Sequence, residues 1–150
     1  MGFLPGNARE KSQPYEAPYA EICTELFGRG DAYRILRGRE VIEFTTTSFI
    51  RGVTLSDCVV VLDEAQNCTL HELDSVFTRL GENCRVVFSG DYSQTDFVRD
   101  ADKRGLGEFM RVLDAMGPWF QHVEFGEDDV VRSKIVKDYL ITKRRLGVST

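Results

Sequence analysis

A chain of 150 residues, 42% hydrophobic and 29% charged, is long enough to bury a sizeable core, and one compact domain is expected. A formal charge of −5 argues against a general nucleic-acid coat while leaving room for a local basic groove. The sequence shows neither an apolar run that could span a bilayer nor a signal-peptide pattern, so a cytoplasmic setting without a membrane partner is expected. Cys23, Cys58, Cys68 and Cys84 lack C-x-x-C spacing and read as reduced thiols rather than a disulfide frame or zinc site. His71 and His122 are isolated and suggest no metal centre.

In chain order, residues 1–18 read as a loop punctuated by Gly2, Pro5, Gly6, Pro14 and Pro18. Phe3 and Leu4 suit a loop inside a longer protein better than a free tail. Tyr19, Ile22, Cys23, Leu26 and Phe27 then recur at helical spacing, with Gly28 and Gly30 closing the element. Val41 to Thr45 has the β-branched character of a short strand, and Ser48 to Gly52 reads as a brief turn or helix. Val59-Val60-Val61-Leu62 is an uninterrupted apolar run, which predicts a strand buried on both faces of a parallel sheet.

Beyond it, Thr69 with Glu72 three residues on is a capping-box spacing, opening a helix whose buried face is Leu73, Val76, Phe77 and Leu80. Gly81 ends that helix, and Cys84 to Phe88 predicts a second buried strand. Leu106, Phe109, Met110, Val112 and Leu113 mark the next helix, stopped by Gly117-Pro118. His122 to Phe125 reads as a last short strand and Val130 to Leu146 as a last amphipathic helix. Strands alternating with helices of this length imply an α/β fold built of βαβ units around a parallel sheet.

Two clusters carry chemistry. Asp63 and Glu64 fall together where the first apolar strand should end, and ligands of open α/β sheets sit at the carboxyl ends of strands. The run Val59 to Glu64 has the shape of a Walker B motif, in which Asp63 holds a magnesium ion and Glu64 positions and activates the attacking water. The same two acids could instead cap the following helix. Ser89-Gly90-Asp91-Tyr92-Ser93-Gln94-Thr95-Asp96 follows the second strand, with Asp91 and Gln94 supplying polar reach. A Gln at such a strand end can contact a terminal phosphate or the attacking water, although Gly-Asp and Ser are also ordinary turn formers. Nothing in the chain matches G-x-x-x-x-G-K-S/T, the loop that cradles phosphates.

Val61-Leu62-Asp63-Glu64-Ala65-Gln66-Asn67, Phe77-Thr78-Arg79-Leu80-Gly81 and Ser89-Gly90-Asp91-Tyr92-Ser93-Gln94-Thr95-Asp96 together resemble the PhoH family of P-loop ATPases. Gly2-Phe3-Leu4-Pro5-Gly6 with Glu10-Lys11, Ile50-Arg51-Gly52-Val53-Thr54-Leu55 and Asp129-Val130-Val131-Arg132 are similar to further pieces of it, in the same order along nearly the whole chain. The resemblance implies a RecA-like P-loop NTPase core, related to superfamily-one helicases, with a mostly parallel sheet flanked by helices. It implies ATP and Mg2+ as cofactors, with Asp63 as the metal carboxylate and Glu64 as the catalytic one. Gln94 takes the place of the phosphate sensor, with Asp91 orienting its loop, and Arg132 that of an arginine reaching a nucleotide phosphate in its own subunit or across a ring. Arg51 and Arg79 sit in matching motifs, where each could equally be a surface ion pair.

In that family the Gly-Phe-Leu-Pro-Gly segment lies downstream of the Walker A loop and its strand, so the resemblance covers a C-terminal portion of the fold. Without the loop's N–H groups and lysine, Asp63 alone would hold magnesium weakly, and efficient ATP hydrolysis by these residues alone is not expected. The strand Arg85 to Phe88 is then expected to keep one unpaired edge. The leading reading is an ATP-binding, ATP-hydrolysing module coupled to RNA or another single-stranded nucleic acid, completed by an upstream Walker A segment and working in a homo-oligomeric ring. Arg29, Arg34, Arg37, Arg39, Lys143, Arg144 and Arg145 could meet nucleic acid or simply form a solvated face. The alternatives are a catalytically inactive assembly or regulatory subunit offering Arg132, and a metal-dependent nuclease using Asp63, Glu64, Asp91 and Asp96.

Overall fold

The computed structural model describes residues 8–50, 52–91 and 100–148. Its residues group into two compact units, Met1–Arg51 and Gly52–Thr150. The first holds two helices, α1 (Ala8–Phe27) and α2 (Ala32–Gly38). Helix α1 begins well before the expected position and runs through Pro14 and Pro18, so residues 8–18 are helical where a loop was expected. Both prolines are exposed and sit four apart on the outer side, while Glu16, Tyr19, Ala20 and Cys23 turn inward. The buried Glu16 carboxylate accepts hydrogen bonds from Tyr33 Oη at 3.0 Å and from the Arg37 guanidinium. A charge-assisted bond from a partly buried donor is among the stronger polar contacts. It offsets the amide bonds that the prolines remove.

Helix α2 has no counterpart in the sequence expectation, being short and punctuated by four arginines in and around it. The expected strand at Val41 to Thr45 is irregular chain, with no ladder among the described residues. The N–H groups of Val41 and Ile42 bond instead to the Leu36 carbonyl at the end of α2. A single 3-10 turn at Thr47–Phe49 follows, close to the expected brief turn.

The second unit is a βαβ arrangement followed by two helices: β1 (Val59–Leu62), α3 (Leu70–Phe77), β2 (Arg85–Phe88), α4 (Asp100–Ala115) and α5 (Lys134–Arg145). The strands pair in parallel with Val59 opposite Arg85 and Leu62 opposite Phe88. Pairing runs past both ends. Leu55 bridges Leu80 before the strands, Ser89 N–H bonds Leu62 O beyond them, and Ala65 N–H bonds Ser89 O at 2.9 Å. The protein is thus a mixed α/β chain around a small parallel sheet, of two strands among the described residues.

Leu62 and Phe88 pack from one face of the sheet onto a core of Ala65, Leu73, Phe109 and Leu113. Phe109 meets Phe88 edge-on at 5.0 Å and Phe77 at 6.2 Å, the tilted geometry aromatic quadrupoles favour. The Thr69–Glu72 capping box forms as expected, with both reciprocal bonds at the start of α3. Helices α3 and α4 approach closely because Gly105 lacks a side chain. A Cβ there would lie 2.9 Å from Leu70 Cβ.

Three expectations are corrected in this unit. The apolar run of β1 is not buried on both faces: Val59 and Val61 are about 60% exposed and Val87 beside them is also exposed, because α3 and α4 pack on the other face. His122 to Phe125 forms no strand, since no partner ladder lies beside it among the described residues, and Val123 and Phe125 face solvent. The last helix starts at Lys134, after Ser133, rather than at Val130.

Truncating Leu73, which is fully buried, should remove methyl groups the core cannot replace. Leu73→Ala is expected to destabilise the second unit by about 3 kcal/mol. Val61→Ala on the open face should cost under about 1 kcal/mol. Urea unfolding of the two variants, compared at constant m, checks the contrast.

Candidate functional site

The β1 chain turns abruptly as the strand ends. Glu64 adopts the left-handed conformation at φ 54°, ψ 39°, which costs a residue with a Cβ on the order of 1 kcal/mol. Its N–H bonds Asp63 Oδ1 at 3.0 Å, so the first acid braces the turn that aims the second. One turn of 3-10 helix, Ala65–Asn67, follows and places Gln66 inward, where it is buried. Gln66 Nε2 donates to Glu64 Oε2 at 2.6 Å. The glutamate is thereby held from its backbone and from its carboxylate, while both acidic side chains stay exposed to solvent.

The loop after β2 closes on this turn. Ser89 O accepts from Ala65 N–H at 2.9 Å, and Gly90 comes so close that a Cβ built on it would lie 3.1 Å from Ala65 N and overlap Gln66 Oε1. A side chain there would require the Gln66 amide to move and the Ala65 backbone to give by a few tenths of an ångström. Asp91 follows as an exposed residue, so Asp63, Glu64 and Asp91 lie on loops in direct contact at the carboxyl ends of adjacent parallel strands.

The other expected site residues are placed differently. Gln94 and Arg51 lie outside the described residues. Arg79 follows α3, its carbonyl accepting from Leu55 N–H at 2.8 Å, which sets its backbone before the start of β1, at the opposite end of the sheet from Asp63. Its Nε is buried with no hydrogen-bond partner among the described residues. Arg132 sits in the exposed stretch before α5 and forms no ion pair among the described residues. The structure therefore brings together Asp63, Glu64 and Asp91 and leaves Arg79 apart.

Gln66 is the positioning residue that sequence reasoning passed over. The signal available was its place two residues after the glutamate, where a turn folds its amide back. An exposed carboxylate such as Asp63 suits magnesium, which keeps several waters and takes one or two carboxylates along with substrate phosphates. Among the described residues there is no cluster of three or more His, Cys, Asp or Glu side chains that would cage a metal by protein ligands alone. Nor is any described helix long and apolar enough to cross a membrane.

Two parallel strands ending in acidic loops that bond to one another define a mixed α/β protein with a candidate site at its strand ends. The chain belongs to the PhoH-like protein family, whose model matches residues 1–142. It is 34% identical over 139 residues to a PhoH-like protein of Bacillus subtilis and 35% identical over 136 residues to protein PhoH of Escherichia coli. A PhoH-like protein of Synechocystis is 35% identical over 138 residues. These alignments cover 91%, 90% and 91% of this chain but 42%, 38% and 41% of the relatives, so the chain spans about two fifths of their length.

Two outcomes follow from this geometry. Gly90→Ala should push the two loops apart and destabilise the unit by about 1–3 kcal/mol, with the amide of Ala65 losing hydrogen-exchange protection before those of β1. Cys68, just past the 3-10 turn, has its thiol pushed up to about 11 by burial first and the nearby Glu72 second. Because its folded value lies above the unfolded one, the folded chain keeps this proton longer, and stability falls as pH rises from about 9 to about 11. Iodoacetamide labelling of folded Cys68 should accordingly lag that of the urea-unfolded chain throughout that range.

Proposed function

We propose that this chain is the acidic half of an ATP-binding and ATP-hydrolysing site, working in a RecA-like P-loop NTPase core. The observation that supports this most directly is the closure of the Gly90 loop on the Asp63-Glu64 turn. It brings Asp63, the braced Glu64 and the loop that begins at Asp91 side by side at one sheet end. Asp63 would hold magnesium, which when bound to ATP neutralises charge developing on the terminal phosphate. Glu64, oriented by Gln66, would take a proton from the attacking water, and the left-handed turn would keep its carboxylate facing outward. Asp91 would orient the segment bearing Gln94, the candidate sensor. Arg51 and Arg79 remain candidate phosphate or structural cations, and Arg132, exposed and without an ion-pair partner among the described residues, suits a phosphate in its own subunit or a neighbouring one in a ring.

The 150 residues hold no G-x-x-x-x-G-K-S/T loop. The proposal therefore includes a phosphate-cradling segment from residues outside this sequence. Coupling to RNA or another single-stranded nucleic acid belongs to the same proposal. Around α2, Arg29 and Arg34 pair with Asp31 and Arg37 with Glu16, and at the end of α5 Arg145 pairs with Glu127. The stretch around α2 and the last turn of α5, with Lys143, Arg144 and Arg145, are both candidate contacts.

The test is magnesium-ATP titration and turnover of the 150-residue chain beside a version extended upstream through a phosphate-binding loop. The extended protein should hydrolyse ATP. Glu64→Gln should lower its kcat by about a hundredfold or more while ATP still binds, the loss expected on removing a positioned general base, and Asp63→Asn should raise the magnesium concentration required. An extended Glu64→Gln protein that turns over like the parent would sink the assignment of Glu64. Tight ATP binding by the short chain itself would show that another segment cradles the phosphates.

A further inference from the structure

At the opposite end of the sheet the two strands begin in matching ways. Asp57 precedes Cys58 and Asn83 precedes Cys84, and Asp57 and Asn83 are both left-handed at φ 54°. Asn83 Nδ2 donates to Asp57 Oδ1 at 2.9 Å, tying the two turns side chain to side chain. The backbone is tied as well, with Asp57 N–H bonding Glu82 O and Arg85 N–H bonding Cys58 O, each at 3.0 Å. These bonds fix the two strand starts against each other. The result is that Cys58 Sγ lies 3.6 Å from Cys84 Sγ, and Cys84 Sγ also donates to Leu55 O at 2.9 Å.

We propose that Cys58 and Cys84 form a dithiol site that closes to an intrachain disulfide by exchange with a small-molecule disulfide. Neighbouring strands of a sheet run about 4.8 Å apart, within the Cα separation of roughly 4.4–6.8 Å that a disulfide spans without backbone movement. Rotation of the two side chains is then enough to bring the sulfurs to bonding distance. Both cysteines are partly exposed, so a small reagent reaches them.

The exchange balances in two steps. One cysteine, as its thiolate, attacks the small disulfide, forming a mixed disulfide and expelling one small thiolate. The second cysteine, on losing its proton, attacks the protein sulfur of that mixed disulfide and expels the other. The dithiol is oxidised by two electrons, the small disulfide is reduced to two thiols, and both cysteine protons end on those thiols. Burial first, and the Cys84 thiol second, raise the Cys58 pKa, so closure should quicken as pH rises through the alkaline range. The ring that closes joins residues 26 apart and encloses β1, the Asp63-Glu64 turn and α3. Cys68 falls inside that ring but is held protonated by burial, and Cys23 is buried in the other unit.

The test treats the folded chain with glutathione disulfide, unfolds it, alkylates the remaining thiols and maps the peptides by mass. The expected result is loss of two of the four thiols, a cross-link between the Cys58 and Cys84 peptides, full alkylation of Cys23 and Cys68, and a higher Tm that dithiothreitol reverses. Cys58→Ser and Cys84→Ser should each stall with glutathione on the cysteine left behind. A parent chain that stalls with the same adduct, keeps all four thiols, or cross-links through Cys23 or Cys68 overturns the proposal, and these readings of the parent hold whether or not a variant folds.

Discussion

The backbone pairing between the β1 and β2 regions is the constraint on which the second unit depends. It begins at Leu55 beside Leu80, passes through four residues of regular parallel ladder and ends where Ala65 N–H meets Ser89 O. Parallel strands cannot be joined by a tight turn, so α3 is obliged to cross between them. That crossing is what lays Leu73 against Phe109 and Leu113 beneath the sheet. The same register decides both ends of the sheet. One residue of slip would reverse which side chains face the core and would separate Gly90 from the Asp63-Glu64 turn. Fold and candidate site therefore rest on a single alignment of two short strands.

Much of this alignment was legible in the sequence. The apolar run ending in Asp63-Glu64, the Thr69–Glu72 cap and the second run ending in Ser89-Gly90-Asp91 each carry their own local physics, and each appears where the spacing put it. What could not be read was anything requiring a partner. Val41 to Thr45 and His122 to Phe125 have the composition of strands and lack a neighbour to pair with among the described residues. Composition reports how well a side chain fits a pleated surface, not whether such a surface is adjacent. Helix α1 shows the converse. Pro14 and Pro18 announce a break, and the long-range bonds from Tyr33 and Arg37 to Glu16 overrule it.

The same distinction separates what was visible of the site from what was not. Asp63, Glu64 and Asp91 are recognisable by type and by position at strand ends, whereas the work of Gln66 is a matter of direction. It points back at Glu64 only because the intervening backbone turns left-handed. Arg79 was picked by its place in a motif, yet its backbone lies with Leu55, a strand's length from the acids. The open valine face of the sheet belongs here too. A run of four apolar residues speaks for burial on both sides, and α3 and α4 cover one of them.

The backbone at Glu64 has an implication for how this protein could be stabilised. A glycine would occupy φ 54° without strain, as would an asparagine at smaller cost, and either would relax the sharpest bend after β1. Either would also take away the carboxylate to which the buried Gln66 amide donates, so the strain relieved at residue 64 is set against a buried donor deprived of that bond.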